Sequence, residues 1–214
     1  IFVQRPIFDE FVELMIAETQ KIVVGDPMDP KTAMGPLFTR AHHDRVSSYL
    51  EGVTPTWTGS APTGSGYWFP CTIIATADTT NRVCTEEIFG PILPMITVKD
   101  LDDAIDFINS KSKPLALYVF SENTLVRRAF TERTSSGAIG FNVAILHLSV
   151  PGLPFGGVGE SGIGAYRGKR SFDTFSHEKA ILSKPLKPET LALVYPPFTE
   201  SKKKLITGLL RKLS

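Results

Sequence analysis

The alternation of strand-like and helix-like segments between residues 92 and 142 is the feature that most constrains the fold. Three apolar runs have the length of strands, and two segments with apolar residues at helical spacing separate them. The second run lacks alternation, as expected of a strand covered on both faces. The predicted strands are Ile92 to Val98, Leu115 to Phe120 and Ala138 to Asn142. This order predicts a βαβαβ unit, and hence an α/β fold on an open, twisted, mostly parallel sheet with ligands at the carboxyl ends of its strands.

The segments before residue 92 extend this pattern. Ile1 to Gln4 resembles the end of a strand, so we expect further chain before it, and the apolar spacing after Pro6 predicts a helix. Thr39 is predicted to cap a second helix that runs to about Leu50. The Thr, Ser, Gly and Pro content of residues 54–66 predicts a surface loop, and Cys71 to Ala75 is a predicted strand.

Composition excludes several classes of protein. The 214 residues are 42% hydrophobic, which is enough for a buried core, and the net charge of +1 gives no field to attract nucleic acid. With only two cysteines we expect no disulfide framework and a reducing, cytoplasmic setting. None of the four histidines lies at metal-ligand spacing, and no apolar run approaches the ~20 residues that span a bilayer. We therefore expect neither a metal nor a nucleic-acid partner.

The most specific string is Glu86-Glu87-Ile88-Phe89-Gly90-Pro91, which lies between two predicted strands. Two adjacent carboxylates at a turn are most simply a solvated pair. The alternative is that one of them grips a polyol, because an ionised Glu can accept hydrogen bonds from both hydroxyls of a ribose.

The string resembles a signature of the aldehyde dehydrogenase superfamily. Residues 1–197 as a whole resemble the C-terminal half of that family, and its class 3 and fatty-aldehyde members most of all. Further segments that carry the likeness are Lys113 to Ser121, Ser135 to Gly137 and Gly168 to His177. The resemblance implies the α/β catalytic domain of that family.

The resemblance also implies an activity. Members of the family oxidise aldehydes to carboxylic acids with NAD or NADP: a cysteine thiolate attacks the aldehyde, hydride passes to the cofactor, and a thioester is hydrolysed. By resemblance Glu87 binds the nicotinamide ribose and Phe89 packs beside the nicotinamide. Cys71 and Cys84 lie outside the family's Gly-Gln-x-Cys context. The resemblance therefore implies a nucleophile upstream of this chain and no catalytic residue within it.

The glycine-rich segment Pro154 to Gly162 contains a literal GxGxxG. No adequate strand precedes it and no acidic residue follows at the usual distance, so it is not a Rossmann fingerprint. The resemblance implies instead that this segment, with Phe155, walls the substrate tunnel, where glycine lets backbone approach a ligand closely. Asn142 is expected to shape the catalytic pocket. His147 is a further tunnel-lining candidate, although a single His on an apolar stretch is more often a satisfied structural residue.

The last part of the chain differs from the rest. Residues 1–175 are predicted to belong to the catalytic domain. Residues 176–200 are predicted to form an extended arm, with prolines around Ala180 to Lys184, through which a homodimer assembles. Residues 201–214 predict a basic amphipathic helix, which either docks on the protein's own surface or attaches reversibly to an anionic membrane.

Two hypotheses of function follow. In the first, the chain is part of an NAD(P)-dependent aldehyde dehydrogenase, inactive alone because its nucleophile lies upstream. In the second, it is a truncated, non-catalytic module that assembles with a full-length subunit. Neither the aldehyde nor the choice between NAD and NADP follows from these residues.

Overall fold

The computed structural model describes residues 1–76, 78–189, 191 and 195–213, with residues 212 and 213 as backbone only. It divides into two compact units, Ile1–Ser171 and Phe172–Ser214. Within the described residues the first unit holds every strand and the buried core.

Strands and helices alternate along the first unit, as the sequence predicts. The strands are β1 (Phe2–Gln4), β2 (Trp57–Thr58), β3 (Thr72–Thr76), β4 (Ile92–Val98), β5 (Ala116–Val119) and β6 (Ala138–Phe141). The helices are α1 (Phe8–Thr19), α2 (Arg40–Ser48), α3 (Arg82–Thr85), α4 (Leu101–Asn109) and α5 (Thr124–Arg133), with single 3₁₀ turns at Arg5–Ile7, Leu146–Ser149 and Gly159–Ser161. Two more helices, α6 (Gly168–Thr174) and α7 (Glu200–Leu213), follow.

The strands form two sheets. The larger has the order β1-β4-β3-β2, in which only the β2–β3 pairing is antiparallel, and the smaller is the parallel pair β5-β6. The α/β class and the mostly parallel sheet are therefore confirmed. The prediction of one βαβαβ sheet is wrong: β1 and β3 occupy both edges of β4, so β5 has no edge of β4 to pair with. Within residues 92–142 only β5-α5-β6 forms a parallel crossover unit; β3 and β4, which α3 connects, form another one before it.

Helices cover both faces of the larger sheet. Successive residues of a strand point to opposite faces, and in β3 Ile73 packs with Val12 of α1 while Ile74 packs with Val46 of α2. All four side chains are buried. The predicted cap of α2 is confirmed, since Thr39 Oγ1 accepts a hydrogen bond from the His42 amide at 3.1 Å. This sheet and these two helices form the frame on which the Glu86–Gly90 segment rests.

Two local predictions are corrected. The region 54–66, predicted as a loop, contains β2, because Trp57 packs against the core of the larger sheet and holds its neighbours against β3. The run Leu115 to Phe120 is not enclosed on both faces: its two ends are exposed and only Val119 is buried. A sheet of two strands is too narrow to be enclosed as the larger sheet is.

The second unit contains a segment without regular secondary structure and a helix. The segment covers residues 176–185, in which Ile181 and Leu182 are almost fully exposed. The helix α7 begins at Glu200, where the sequence predicts a basic amphipathic helix from residue 201; Ser214 lies outside the described residues. No helix in the described part of the chain is long and apolar enough to cross a membrane.

Candidate functional site

The Glu86–Gly90 segment lies against α2, which binds its backbone. The carbonyl oxygen of Phe89 lies 2.7 Å from Nε2 of His42, and because a carbonyl only accepts, Nε2 carries the proton. Arg45 donates to the carbonyl of Ile88 at 2.7 Å and to that of Glu87 at 3.4 Å. Three consecutive carbonyls of the segment therefore point toward the same helix.

The two adjacent glutamates have different environments. The Glu86 carboxylate accepts hydrogen bonds from Arg82 Nε at 3.0 Å and from the Tyr49 hydroxyl at 3.0 Å. The hydrogen bond from Arg82, and then that from Tyr49, lowers the pKa of Glu86 below its ordinary value. Glu87 is exposed, and its carboxylate forms no hydrogen bond or ion pair with any described residue. Glu86 therefore stabilises the segment, while both oxygens of Glu87 are open to a ligand.

Phe89 is exposed and has a left-handed backbone. Its φ is +49°, which costs a non-glycine residue about 1–2 kcal/mol, and its ring is 74% exposed. The next residue must be glycine, because a Cβ on Gly90 would lie 2.8 and 2.9 Å from the two methyl carbons of Val46. The turn thus brings the backbone against α2 and leaves the phenyl ring exposed.

A second group of candidate residues forms an aromatic cluster. The ring of His147 lies 5.8 Å from that of Tyr118 and 6.2 Å from that of Phe155. Phe155 in turn contacts Tyr166 edge to face at 5.5 Å, and the guanidinium of Arg167 lies 5.8 Å from each of these last two rings. The structure therefore brings together two of the three predicted tunnel residues, His147 and Phe155.

His147 is not a satisfied structural histidine. Both of its ring nitrogens are buried and neither has a hydrogen-bond partner among the described residues. A neutral imidazole carries one donor and one acceptor, and an unpaired buried polar group costs about 1–3 kcal/mol. The ring therefore carries buried polar nitrogens whose hydrogen-bonding capacity no described residue uses.

Asn142 joins the carboxyl ends of the two strands in the smaller sheet. Its Oδ1 accepts a hydrogen bond from the Ser121 amide at 2.7 Å, and its Nδ2 donates to Glu122 at 2.9 Å. Its backbone is left-handed, with φ +56°, a conformation that Asn tolerates better than most residues. The side chain holds the end of β5 beside the end of β6. None of the described hydrogen bonds of Asn142 reaches His147 or Phe155.

Close backbone packing requires two of the glycines in Pro154 to Gly162. A Cβ on Gly156 would overlap the carbonyl of Gly164, and one on Gly157 would overlap the backbone of Ser161. These two glycines let the chain pack closely against itself. The folded segment is also held by two backbone hydrogen bonds of 2.9 Å between Phe155 and Tyr166.

Neither cysteine has the environment of a nucleophile. Cys71 is buried and Cys84 partly buried, and both thiols are free. Burial raises the pKa of each, so the thiolate is disfavoured at neutral pH. Within the described residues no group of three or more His, Cys, Asp or Glu side chains could hold a metal ion.

The sequence reasoning missed the residues that hold the segment. His42 binds the Phe89 carbonyl, and Arg45 and Tyr49 bind the same segment. Their spacing of three and then four residues puts all three on one face of the helix. Between this group and the aromatic cluster, no hydrogen bond, ion pair or ring contact is found among described residues.

Comparison with known proteins identifies the family of this chain. A family model for the aldehyde dehydrogenase family matches residues 1–181. The chain is 45% identical to aldehyde dehydrogenase family 3 member A2 of Mus musculus over 188 residues, which is 87% of this chain and 39% of that protein. It is 40% identical to the dimeric NADP-preferring aldehyde dehydrogenase of Bos taurus over 182 residues, which is 85% of this chain and 76% of that sequence.

Solved structures agree with these relatives. The substrate-bound Staphylococcus aureus AldH is similar with a TM-score of 0.80 at 32% identity, over 98% of this chain and 45% of that one. Betaine aldehyde dehydrogenase of Staphylococcus aureus in complex with NAD⁺ is similar with a TM-score of 0.72 at 29% identity, over 82% of this chain and 36% of that one. The chain thus spans about two fifths of the length of the first relatives. It belongs to the aldehyde dehydrogenase family.

Proposed function

We propose that the chain forms part of an NAD(P)-dependent aldehyde dehydrogenase. It supplies the residues that bind the cofactor ribose and one wall of the substrate tunnel. The observation that carries this proposal is the pair Glu87 and Phe89. An exposed carboxylate without a protein partner can accept both hydroxyls of a ribose, and the exposed phenyl ring offers an apolar face to the nicotinamide end.

The residues fit a nicotinamide cofactor, which when bound accepts the hydride of the oxidation. Glu87 would hold the ribose and Phe89 would flank the adjoining ring. Relatives differ in the cofactor they are named for: the bovine relative is called NADP-preferring, and the Staphylococcus aureus betaine aldehyde dehydrogenase is in complex with NAD⁺. We therefore propose NAD or NADP for this chain without choosing between them.

The substrate side of the proposal rests on the aromatic cluster. The ring of His147 contacts those of Tyr118 and Phe155, and its two buried nitrogens have no partner among the described residues. We propose that these rings form an apolar surface of the tunnel. Such a surface suits the tail of an apolar aldehyde. Asn142, at the end of β6, is proposed to shape the pocket by holding the ends of β5 and β6 together.

The nucleophile is proposed to lie outside residues 1–214. Family chemistry needs a cysteine thiolate, and burial raises the pKa of both Cys71 and Cys84. Alone, the chain should therefore not oxidise an aldehyde. The test is to mix the purified chain with an aldehyde and NAD⁺ or NADP⁺ and to follow absorbance of the reduced cofactor, with Glu87→Ala as control.

A rate of cofactor reduction above that of the control would contradict the proposal that the nucleophile lies outside residues 1–214. The same assay on a protein that continues upstream into a Gly-Gln-x-Cys segment should show reduction that Glu87→Ala weakens through the KM for the cofactor. An unchanged KM in that variant would remove Glu87 from the ribose site.

A second candidate function is assembly with another subunit. Residues 180–184 lie in the proposed arm 176–200 and have no regular secondary structure, and Ile181 and Leu182 are almost fully exposed. A segment that becomes extended can add a strand to an exposed sheet edge of a partner. The bovine relative is named dimeric. Sedimentation of the chain and of an Ile181→Asp, Leu182→Asp double variant tests this: the variant should be monomeric where the unchanged chain is a homodimer.

The tail is proposed to attach reversibly to an anionic membrane surface. In α7, Leu205, Leu209 and Leu210 are about half exposed, while Lys203 and Lys204 add positive charge. Co-sedimentation with vesicles containing phosphatidylserine should exceed that with vesicles of phosphatidylcholine alone, and Leu209→Ser should abolish it. Equal recovery with both vesicle types would leave only docking on the protein's own surface.

A further inference from the structure

We propose that one face of α2 is a clamp that sets the positions of Glu87 and Phe89, and through them the affinity for NAD(P). The α2 clamp consists of His42, Arg45 and Tyr49. This inference rests on the proposed function, because it assigns positioning residues to the same cofactor site. None of the three clamp residues needs to touch the cofactor for the clamp to act.

The clamp residues are themselves well fixed. Their spacing puts them on one face of α2, and the fully buried Val46, one residue after Arg45, anchors that face in the core. Thr39 caps the helix by accepting a hydrogen bond from the backbone amide of His42. The helix is thus a rigid support whose side chains can fix a loop.

The clamp determines the orientation of the segment through its peptide planes. Hydrogen bonds engage the carbonyls of Glu87, Ile88 and Phe89, so the planes after all three residues are fixed. Two successive fixed peptide planes fix the backbone dihedral angles of the residue between them. The Cα–Cβ direction of Phe89 follows from those angles, and the plane after Glu87 restricts that of Glu87. Neither exposed side chain has another described partner that would hold it.

The left-handed backbone of Phe89 is strained, so its position depends on the clamp. At φ +49° a non-glycine residue is strained and relaxes toward negative φ when nothing opposes the change. The 2.7 Å hydrogen bond from His42 to its carbonyl opposes that relaxation. Without it the phenyl ring would turn away from its present position, while Glu86 would still be held by Arg82 and Tyr49. The clamp therefore acts on the cofactor-binding end of the segment.

The kinetic test uses the aldehyde dehydrogenase in which this chain continues upstream to its cysteine. His42→Leu and Arg45→Met should each raise the KM for NAD(P)⁺ about tenfold, the effect of losing one charge-assisted or well-aligned hydrogen bond. The kcat at saturating cofactor should stay within about twofold, and the KM for the aldehyde should not change. His42→Gln should restore most of the affinity, because its amide N–H can donate to the same carbonyl.

The matched control is Arg40→Met. Arg40 is on the same helix, but its side chain is 83% exposed, and among the described residues it pairs only with Asp44, four residues on, at 3.6 Å. The KM of the Arg40→Met variant for the cofactor should equal that of the unchanged enzyme. A rise as large as that of Arg45→Met would overturn the clamp, because it would trace the effect to helix charge rather than to the carbonyl contacts.

A second measurement reports the segment directly. Hydrogen exchange of the peptide covering residues 86–92 should be faster in His42→Leu and Arg45→Met than in Arg40→Met, in the 214-residue chain itself. If Glu87→Gln raises the KM for NAD(P)⁺ and the two clamp variants do not, the clamp proposal fails alone. If Glu87→Gln also leaves that KM unchanged, the proposed function fails and the clamp proposal fails with it.

Discussion

Replacing Gly90 by Ala tests the contact on which the cofactor segment rests. The added Cβ would lie 2.8 Å from one methyl carbon of Val46 and 2.9 Å from the other. Val46 is fully buried, and a β-branched side chain in a helix has one strongly preferred rotamer, so it cannot turn aside. Overpacking of this kind lowers the unfolding free energy by about 1–3 kcal/mol. Alanine also has less conformational freedom than glycine in the unfolded chain, which raises the unfolding free energy by about 0.4–1 kcal/mol. The expected net loss is about 1–2 kcal/mol.

The companion change, Val46→Ala, makes room for the added methyl group. Alone it removes two buried methyl carbons and should cost about 1–3 kcal/mol. In the double variant the new methyl group of residue 90 occupies part of that space. The double variant should therefore be more stable than the sum of the single changes predicts, by about 1–2 kcal/mol.

Urea unfolding followed by tryptophan fluorescence measures these free energies. Both tryptophans, Trp57 and Trp68, lie in the first unit, so the signal reports the unit that contains the contact. Gly152→Ala is the matched control, because a Cβ there meets nothing within 4 Å and should leave stability unchanged or slightly higher. If the free energies of the single changes add to within about 0.5 kcal/mol in the double variant, Gly90 and Val46 are not in contact and the reasoning is refuted.

Three further predictions concern charge, thiols and the strand ends. Hydrogen bonds with Arg82 and Tyr49 lower the pKa of Glu86, so the stability that this carboxylate contributes is present above its unfolded pKa and is lost as pH falls through the folded pKa. The difference in unfolding free energy between the unchanged chain and Glu86→Gln should therefore shrink as pH drops below about 5. A difference that stays constant with pH in urea titrations would contradict this. Iodoacetamide at neutral pH should modify Cys71 and Cys84 far more slowly in the folded chain than in urea, because burial raises both pKa values; equal rates by mass spectrometry would show otherwise. Asn142→Ala should lower the unfolding free energy by about 1–2 kcal/mol, because it removes a hydrogen bond and places alanine in a left-handed backbone conformation. Asn142→Gly should lose less unfolding free energy in the same urea titration. An equal loss in the two variants would mean that the left-handed backbone contributes nothing to the difference.

Local features of the fold could be predicted from sequence because their causes are local. Thr39, which was predicted as a cap, accepts a hydrogen bond from the backbone amide three residues on, and Asp100 caps α4 in the same way. The span of β4 was also predicted, since its ends are marked by a turn and a cap. The division into two sheets was not predictable in this way, because it depends on β1 and β3 occupying both edges of β4, and edge occupancy has no local signal.

The candidate site was predictable in its exposed side chains and not in what holds them. Glu87 and Phe89 were singled out by the resemblance of their string to the aldehyde dehydrogenase signature, because the residues alone left a solvated Glu pair as the simplest interpretation. His42 and Arg45 were not singled out, because their partners are backbone carbonyls, and every residue in a chain has one. Only the shared face of α2 could have indicated them.

The different roles of Glu86 and Glu87 follow from backbone geometry. Glu86 has φ −116° and ψ 153°, which is an extended conformation, and successive side chains of an extended chain point to opposite sides. One carboxylate therefore points to Tyr49 and to Arg82, four residues earlier, and the other points away from both. Exchanging the roles would require a change of backbone conformation, which the carbonyl contacts with α2 oppose. Two adjacent acidic residues thus give this turn one carboxylate that stabilises it and one that is available to a ligand.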